Sequence, residues 1–338
     1  MYVITGATGN TGNVVARTLL GPGQKVRAIG RSAERLEPLA AEGAEAFVCD
    51  VTDATALTKA FSGARAVYAM IPPSMTSQDY RADQDKVTNA IAQAIEQAGV
   101  KYAVSLSSWG ADKPAGTGPV AGLHYLEQTL NQIPELNAMH LRAGYFMENT
   151  LAQIGTIQTM GITAGPLRPD LMLPMIAARD IGAAAAQALL GLSFSGKQTR
   201  ELLGQRDISM TEVAAIIGRA IGKPDLKYVQ LPDEQVRTAL TQMGVSLNFA
   251  NLILEMAAAL NSGHMRPLEE RSAENTTPTS YESFVAEEFV PPLSRQVYRC
   301  IELKHSVRAL AEAPAIENRP IHLQTQALPF PRGATAIG

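Results

Sequence analysis

Glycines at positions 6, 9 and 12 stand between the apolar run Tyr2-Val3-Ile4 and a helical pattern from Asn10 to Leu20. This spacing, at a strand-to-helix turn, builds an anion site out of main chain alone. Gly6 lets the chain turn sharply off the strand, and Gly9 leaves no Cβ between backbone and ligand. Gly12 lets the new helix pack closely on the sheet. Ala7, Thr8, Asn10 and Thr11 complete a turn expected to wrap a dinucleotide pyrophosphate. A glycine triplet alone is weak evidence, but a strand before it and a helix after it are the context that confirms it.

The residues that follow bear on which nucleotide. An acid at the end of the second strand, Lys25–Ile29, would hydrogen-bond the adenosine ribose and reject a 2′-phosphate. Around Gly30 that acid is missing, and Arg31, Ser32 and Arg35 follow instead. A guanidinium here can hold a 2′-phosphate by a charge-assisted pair of roughly 1.5–3 kcal/mol, about ten- to a hundredfold in affinity. NADP(H) is therefore expected over NAD(H). The plainer alternative makes Arg31 and Arg35 solvated residues at the start of a surface helix. Asp50 and Val51, just past the third strand, are placed to contact the adenine, unless Asp50 only caps the turn. Met70, Ile71 and Pro72 end the fourth strand, beneath the middle of such a cofactor.

Alternating strands and helices position these residues. Helices are expected at Ser32–Ala41, Asp53–Phe61, Gln78–Gln97 and Val120–Leu130, with strands at Glu45–Cys49, Ala66–Ile71, Val100–Ser107 and Asn137–Arg142. The alternation predicts an α/β fold, a doubly wound parallel sheet with helices on both faces. The expected organisation is a dinucleotide-binding domain over 1–150, a smaller substrate-binding part over 151–290 and a poorly structured tail over 291–338. Gly155–Pro174 reads as a loop region around a cleft, Asp180–Leu190 as a helix capped by Asp180, and Lys197–Leu203 as a strand.

The bulk numbers exclude other classes. A net charge of −3 gives no electrostatic footprint for nucleic acid. No apolar run is long enough to cross a bilayer, and no signal peptide precedes the first strand, so the cytoplasm is expected. Cys49 and Cys300 are the two cysteines, with no ligand spacing between them and no metal site in prospect.

Together with Ser105-Leu106-Ser107-Ser108, the run from Leu141 to Asn149 and Asp180-Ile181-Gly182, these motifs resemble NmrA-like atypical short-chain dehydrogenases over about residues 1–290. Asn275–Thr279 resembles the usual close of that family. The resemblance implies either NAD(P)H:quinone oxidoreductase chemistry or a redox sensor that binds the cofactor without turning it over. It also implies a cofactor lying across the carboxyl ends of the strands and a substrate held by the C-terminal part.

The wider short-chain family works with Ser, Tyr and Lys, the lysine four residues after the tyrosine. No tyrosine of this chain is followed by lysine at that distance. Tyr125 is the best placed, but its partner position is Thr129; Ser107 and Ser108 sit where the serine belongs. Ser108 and Tyr125 are thus weak catalytic candidates. The missing lysine narrows the acceptor, because hydride delivery to a simple ketone leaves an alkoxide with a conjugate acid of pKa roughly 15.7. Delivery to a quinone leaves a phenolate-like anion, nearer roughly 10. That difference, about 8 kcal/mol, is driving force that a general acid need not supply.

Tyr145, Phe146 and His124 are the candidate substrate contacts, and Met160, Met172 and Met175 would suit a flat aromatic acceptor. An oxidoreductase acting on a quinone-like small molecule is the leading expectation; a cofactor sensor working through a protein partner is the alternative. Open space beside Tyr145 would favour the first, and a filled cleft the second.

Overall fold

The computed structural model describes residues 1–293. In the first half, β1 (Tyr2–Ile4), β2 (Val26–Gly30), β3 (Glu45–Val48), β4 (Ala66–Ala69), β5 (Tyr102–Ser108) and β6 (Asn137–Ala143) alternate with helices. These are α1 (Asn10–Leu20), α2 (Ala33–Ala41), α3 (Ala54–Phe61), α4 (Tyr80–Ala98) and α5 (Ala121–Asn131). Local chemistry sets the boundaries. The Ser32 and Asp53 side chains accept the N–H groups of Arg35 and Ala56, and Gly99 ends α4 in the left-handed conformation at φ 65°.

The second half supplies β7 (Tyr145–Phe146), α6 (Gln153–Met160), β8 (Thr163–Gly165), β9 (Leu173–Ile176), α7 (Ala178–Gly191) and β10 (Lys197–Leu202). It continues with β11 (Asp207–Ile208), α8 (Met210–Ala220), β12 (Tyr228–Gln230), α9 (Asp233–Gln242) and α10 (Leu247–Asn261).

Seven strands form one sheet in the order β10-β6-β5-β4-β1-β2-β3, and every pair is parallel. Helices cover both faces, so alternate residues of one strand enter different cores: Val3 joins one cluster, Tyr2 and Ile4 the other. This is the expected doubly wound fold. Strand order reverses where β1 lies between β2 and β4, which opens a crevice at the carboxyl edge.

Three features depart from the sequence reading. A boundary at 150 does not separate the layers, because β10 is the seventh strand of the sheet and α7 packs along α1. Residues 155–174 are only partly loop. They hold most of α6, all of β8 and the start of β9, because Thr163–Gly165 pairs with β12 and the Gln153 amide brackets Ala164 at 2.8 and 2.9 Å. Such partners are distant in sequence and leave no local pattern. Finally, α7 begins at Ala178, and Asp180 is not its cap; the Asp180 carboxylate accepts from Thr279 N–H and Oγ1 at 2.9 and 2.7 Å. Of the expected tail, residues 294–338 lie outside the described residues, as does Cys300.

Candidate functional site

All seven strands being parallel, the segments that leave their carboxyl ends share one rim of the sheet. The glycine turn stands at its centre. Gly6 has φ 61°, its carbonyl accepts the Gly9 N–H at 2.9 Å, and Gly9 O accepts the Asn13 N–H at 3.0 Å. The Thr11 and Gly12 amides precede the first intrahelical bond and point out of the helix end. The three glycines do different work. A Cβ on Gly12 would strike the Gly6 carbonyl, and one on Gly6 would strike the Met70 thioether. A Cβ on Gly9 would meet only Gly6 O, at 3.3 Å, so Gly9 presents bare backbone to the crevice.

Neighbouring elements brace this turn. Thr5 Oγ1 donates to Tyr68 O at 3.0 Å and accepts the Met70 N–H at 2.9 Å, which ties β1 to the end of β4. The buried Tyr68 hydroxyl donates to Thr11 Oγ1 at 3.0 Å. Gly182 of α7 lies so close to α1 that a Cβ would stand 2.6 Å from Val14 Cβ and 2.9 Å from Thr11 O.

On the β2–β3 side, Arg31 is exposed, makes no hydrogen bond among the described residues and faces Asp50 electrostatically. Arg35 reaches back instead, its guanidinium donating to Thr8 O at 3.3 Å. The Asp50 carboxylate accepts from Thr52 N–H and Oγ1 at 2.9 and 2.7 Å, bonds that hold it below the usual carboxylate range. It therefore caps its own turn, with Val51 buried behind it. Met70, Ile71 and Pro72 continue the rim from β4, Ile71 buried and the other two half-exposed.

Past β5 and β6 the rim opens into a narrow cleft. Ser108, Trp109, Gly144, Tyr145, Phe146 and Asn149 form the sheet side, and Met256, Leu260 and Met265 close it from α10 and the loop beyond. The space open to water is only about 10 Å³, room for about one molecule. Parallel pairing with β9, Tyr145 opposite Met175 and Phe146 opposite Ile176, fixes the sheet side. Tyr145 and Asn149 line the cleft together, and the Asn149 amide acts to lower the phenol's pKa against the rise that burial brings. Burial pushes the Tyr145 phenol up to about 12, so it stays neutral at physiological pH.

The sequence matches the NmrA-like family over residues 2–289. The chain belongs to that family. A relative named NAD(P)H azoreductase, from Xenophilus azovorans, is 30% identical over 260 residues, 76% of this chain and 86% of that one. Quinone oxidoreductase 2 of Escherichia coli (strain K12) is 28% identical over 267 residues, covering 78% and 89%. Among solved structures, an NADPH-dependent quinone oxidoreductase of E. coli complexed with NADPH superposes with a TM-score of 0.72 at 26% identity. It covers 86% of this chain and 100% of that one.

Not every residue that the sequence suggested stands in the cleft of this NmrA-like chain. Ser108, Tyr145 and Phe146 do. Ser107 faces the other side of the sheet, donating at 2.6 Å to buried Glu127, which Arg142 grips with two hydrogen bonds. Tyr125 points away, its hydroxyl donating to Asn89 Oδ1 of α4 at 3.0 Å. The His124 ring is tied to Ala111 O at 2.8 Å and does not line the cleft. Met160 and Met172 are 64% and 53% exposed, while Met175 is buried in β9.

Met256 and Met265 are the thioethers at the cleft instead. Residues 256 and 265 carry no motif, and their role is legible only once α10 is seen to lie over Gly118 and Met265, in the loop beyond, over Gly110. Glu148 was also unforeseen as a capping residue. It is buried, its Oε1 accepting the Ala178 N–H that opens α7 at 2.8 Å, while its Oε2 has no hydrogen-bond partner among the described residues.

Proposed function

We propose that this chain binds NADP(H) along the carboxyl rim of its sheet and reduces a flat, quinone-like acceptor in the cleft beside Tyr145. The observation that carries this reading is the shared rim. The bare turn at Gly9 and the Tyr145–Asn149 segment leave parallel strands of one sheet, with the β1/β4 reversal between them. The Gly9 backbone with the Thr11 and Gly12 amides would hold the pyrophosphate. Arg31 would pair with a 2′-phosphate, favouring NADP(H) over NAD(H). Val51 would flank the adenine, and Met70, Ile71 and Pro72 would lie beneath the middle of the cofactor.

When bound, reduced nicotinamide supplies a hydride. What the chain's own residues do is hold the acceptor flat, exclude water and steady the charge that appears on its oxygen. Tyr145, neutral because burial holds its phenol up at about 12, serves as a hydrogen-bond donor rather than as a titrating acid. Ser108, now donating to Trp109 O at 3.1 Å, offers a second hydroxyl at the same cleft. Two neutral donors suit an acceptor whose reduced form is already a stable anion. The names of the azoreductase and quinone oxidoreductase relatives support this acceptor class.

One observation favours a second reading, a cofactor sensor acting through a protein partner: the cleft has room for little more than a water. Mixing the purified chain with NADPH and a panel of quinones separates the two. Loss of reduced cofactor that depends on the acceptor is the expected result. Tight NADPH binding with no turnover of any quinone would overturn the reductase and leave the sensor.

A further inference from the structure

With about 10 Å³ open to water, the cleft is smaller than a one-ring quinone, and seating an acceptor there requires part of its wall to move. The sheet side is fixed by the β7–β9 pairing of Tyr145 and Phe146. The α10 backbone is fixed as well. Near its amino end, Asn248 Oδ1 accepts the Tyr80 N–H at 2.9 Å; at its carboxyl end, Asn261 accepts the Arg168 N–H at 2.8 Å and donates to Pro166 O at 3.0 Å. Between these anchors Gly118, at φ 58°, lies directly on the helix; a Cβ there would strike Leu252 O and stand 3.0 Å from Met256 N.

The loop beyond α10 is tied to it as well, the Met265 N–H donating to Ala259 O at 3.0 Å, which leaves side chain to move. Met256 is half-buried; Met265 is buried, its thioether lying on the backbone of Gly110, where a Cβ would stand 2.8 Å from its Cε. Unbranched thioethers change rotamer without disturbing backbone and make favourable contacts with aromatic rings.

We propose that Met256 and Met265 form a side-chain gate that sets the size of planar acceptor admitted to the cleft, while α10 itself stays in place. This rests on the reductase reading for the identity of the acceptor, but not for its test. Trp109, the one tryptophan of the chain, lines the same cleft and reports occupancy without turnover. A quinone seated there quenches its emission saturably.

The experiment titrates the full chain, with NADP⁺ present so that nothing is reduced, with quinones of one, two and three fused rings. The wild type, Met256→Ala, Met265→Ala and, as control, the exposed Met160→Ala are compared. Wild type and Met160→Ala are expected to bind the three-ring quinone weakest. Met256→Ala, and Met265→Ala where it folds, should gain about tenfold or more for three rings relative to one. An unchanged ring-size ladder in Met256→Ala overturns the gate, as does the absence of saturable quenching in all proteins. Graded quenching without NADPH oxidation in a parallel assay would sink the reductase and leave the gate standing.

Discussion

Asn149 stands four residues after Tyr145, at the spacing where the wider short-chain family keeps a lysine, and both residues line the cleft. A lysine there would lower the phenol pKa by its charge, whereas the amide carries none, and burial holds the phenol at about 12. If this neutral hydroxyl donates to the acceptor, Tyr145→Phe should lower kcat/KM for a quinone by about ten- to a hundredfold, the worth of one hydrogen bond to a charged oxygen. The NADPH dissociation constant should not change. Steady-state kinetics with separate binding titrations check both parts, and equal losses in the two would remove Tyr145 from the acceptor side.

The glycine turn makes a second prediction that separates folding from binding. A Cβ on Gly9 meets only Gly6 O, at 3.3 Å, whereas one on Gly12 strikes that carbonyl. Gly9→Ala should therefore melt within a few degrees of the wild type yet bind NADPH poorly, because the methyl stands where phosphates approach. Gly12→Ala should lose both. Thermal melts paired with cofactor titrations read the difference.

Arg31 and Arg35 should part company. Arg31 is exposed and makes no hydrogen bond among the described residues, while Arg35 donates to Thr8 O of the glycine turn at 3.3 Å. Arg31→Ala is expected to weaken NADPH by about ten- to a hundredfold and NADH hardly at all. Arg35→Ala removes a brace common to both nucleotides and should weaken them alike. Equal losses from Arg31→Ala would return the NADP(H) preference to the open question.

Glu148 gives a pH dependence of known sign. Burial chiefly, with the Glu288 carboxylate adding to it, raises its carboxyl from 4.5 to about 7. The folded chain thus holds this proton more tightly than the unfolded chain does. The resulting stability is full below about pH 4.5 and is lost as pH rises through 7; it amounts to about 3 kcal/mol. Glu148→Gln keeps an acceptor for the Ala178 N–H and cannot lose a proton. Urea unfolding at pH 4.5 to 8 should show the variant gaining on the wild type across that window. Buried His140, held down at about 4, drives a slope of opposite sign but cancels in the comparison. Parallel curves would contradict the assignment.

Much of this was legible in the sequence where the signals are local. Gly6, Gly9 and Gly12 lie within one turn, Ser32 and Asp53 cap helices by reaching three residues ahead, and the strands of the first half are bounded by such caps. Arg31 could be placed at the rim for the same reason. The losses came from pairings distant in sequence. Nothing near Lys197–Leu202 says that it joins β6, and nothing near Thr163–Gly165 says that β12 will cover it. Side-chain direction was the other blind spot. Ser107 and Ser108 are adjacent, and strand alternation sends one to Glu127 and the other to the cleft. Tyr125, on a helix expected beside the cleft, faces α4 instead.

The central claim, that the Gly9 turn and the Tyr145 cleft serve one reaction, is tested most directly by following reduced nicotinamide after a naphthoquinone is added to the purified chain with NADPH. The wild type should consume NADPH only when the quinone is present, and Gly9→Ala, still folded, should consume almost none. A wild type that binds NADPH but never passes hydride to the quinone would contradict the account, and so would a Gly9→Ala protein that works as well as the wild type.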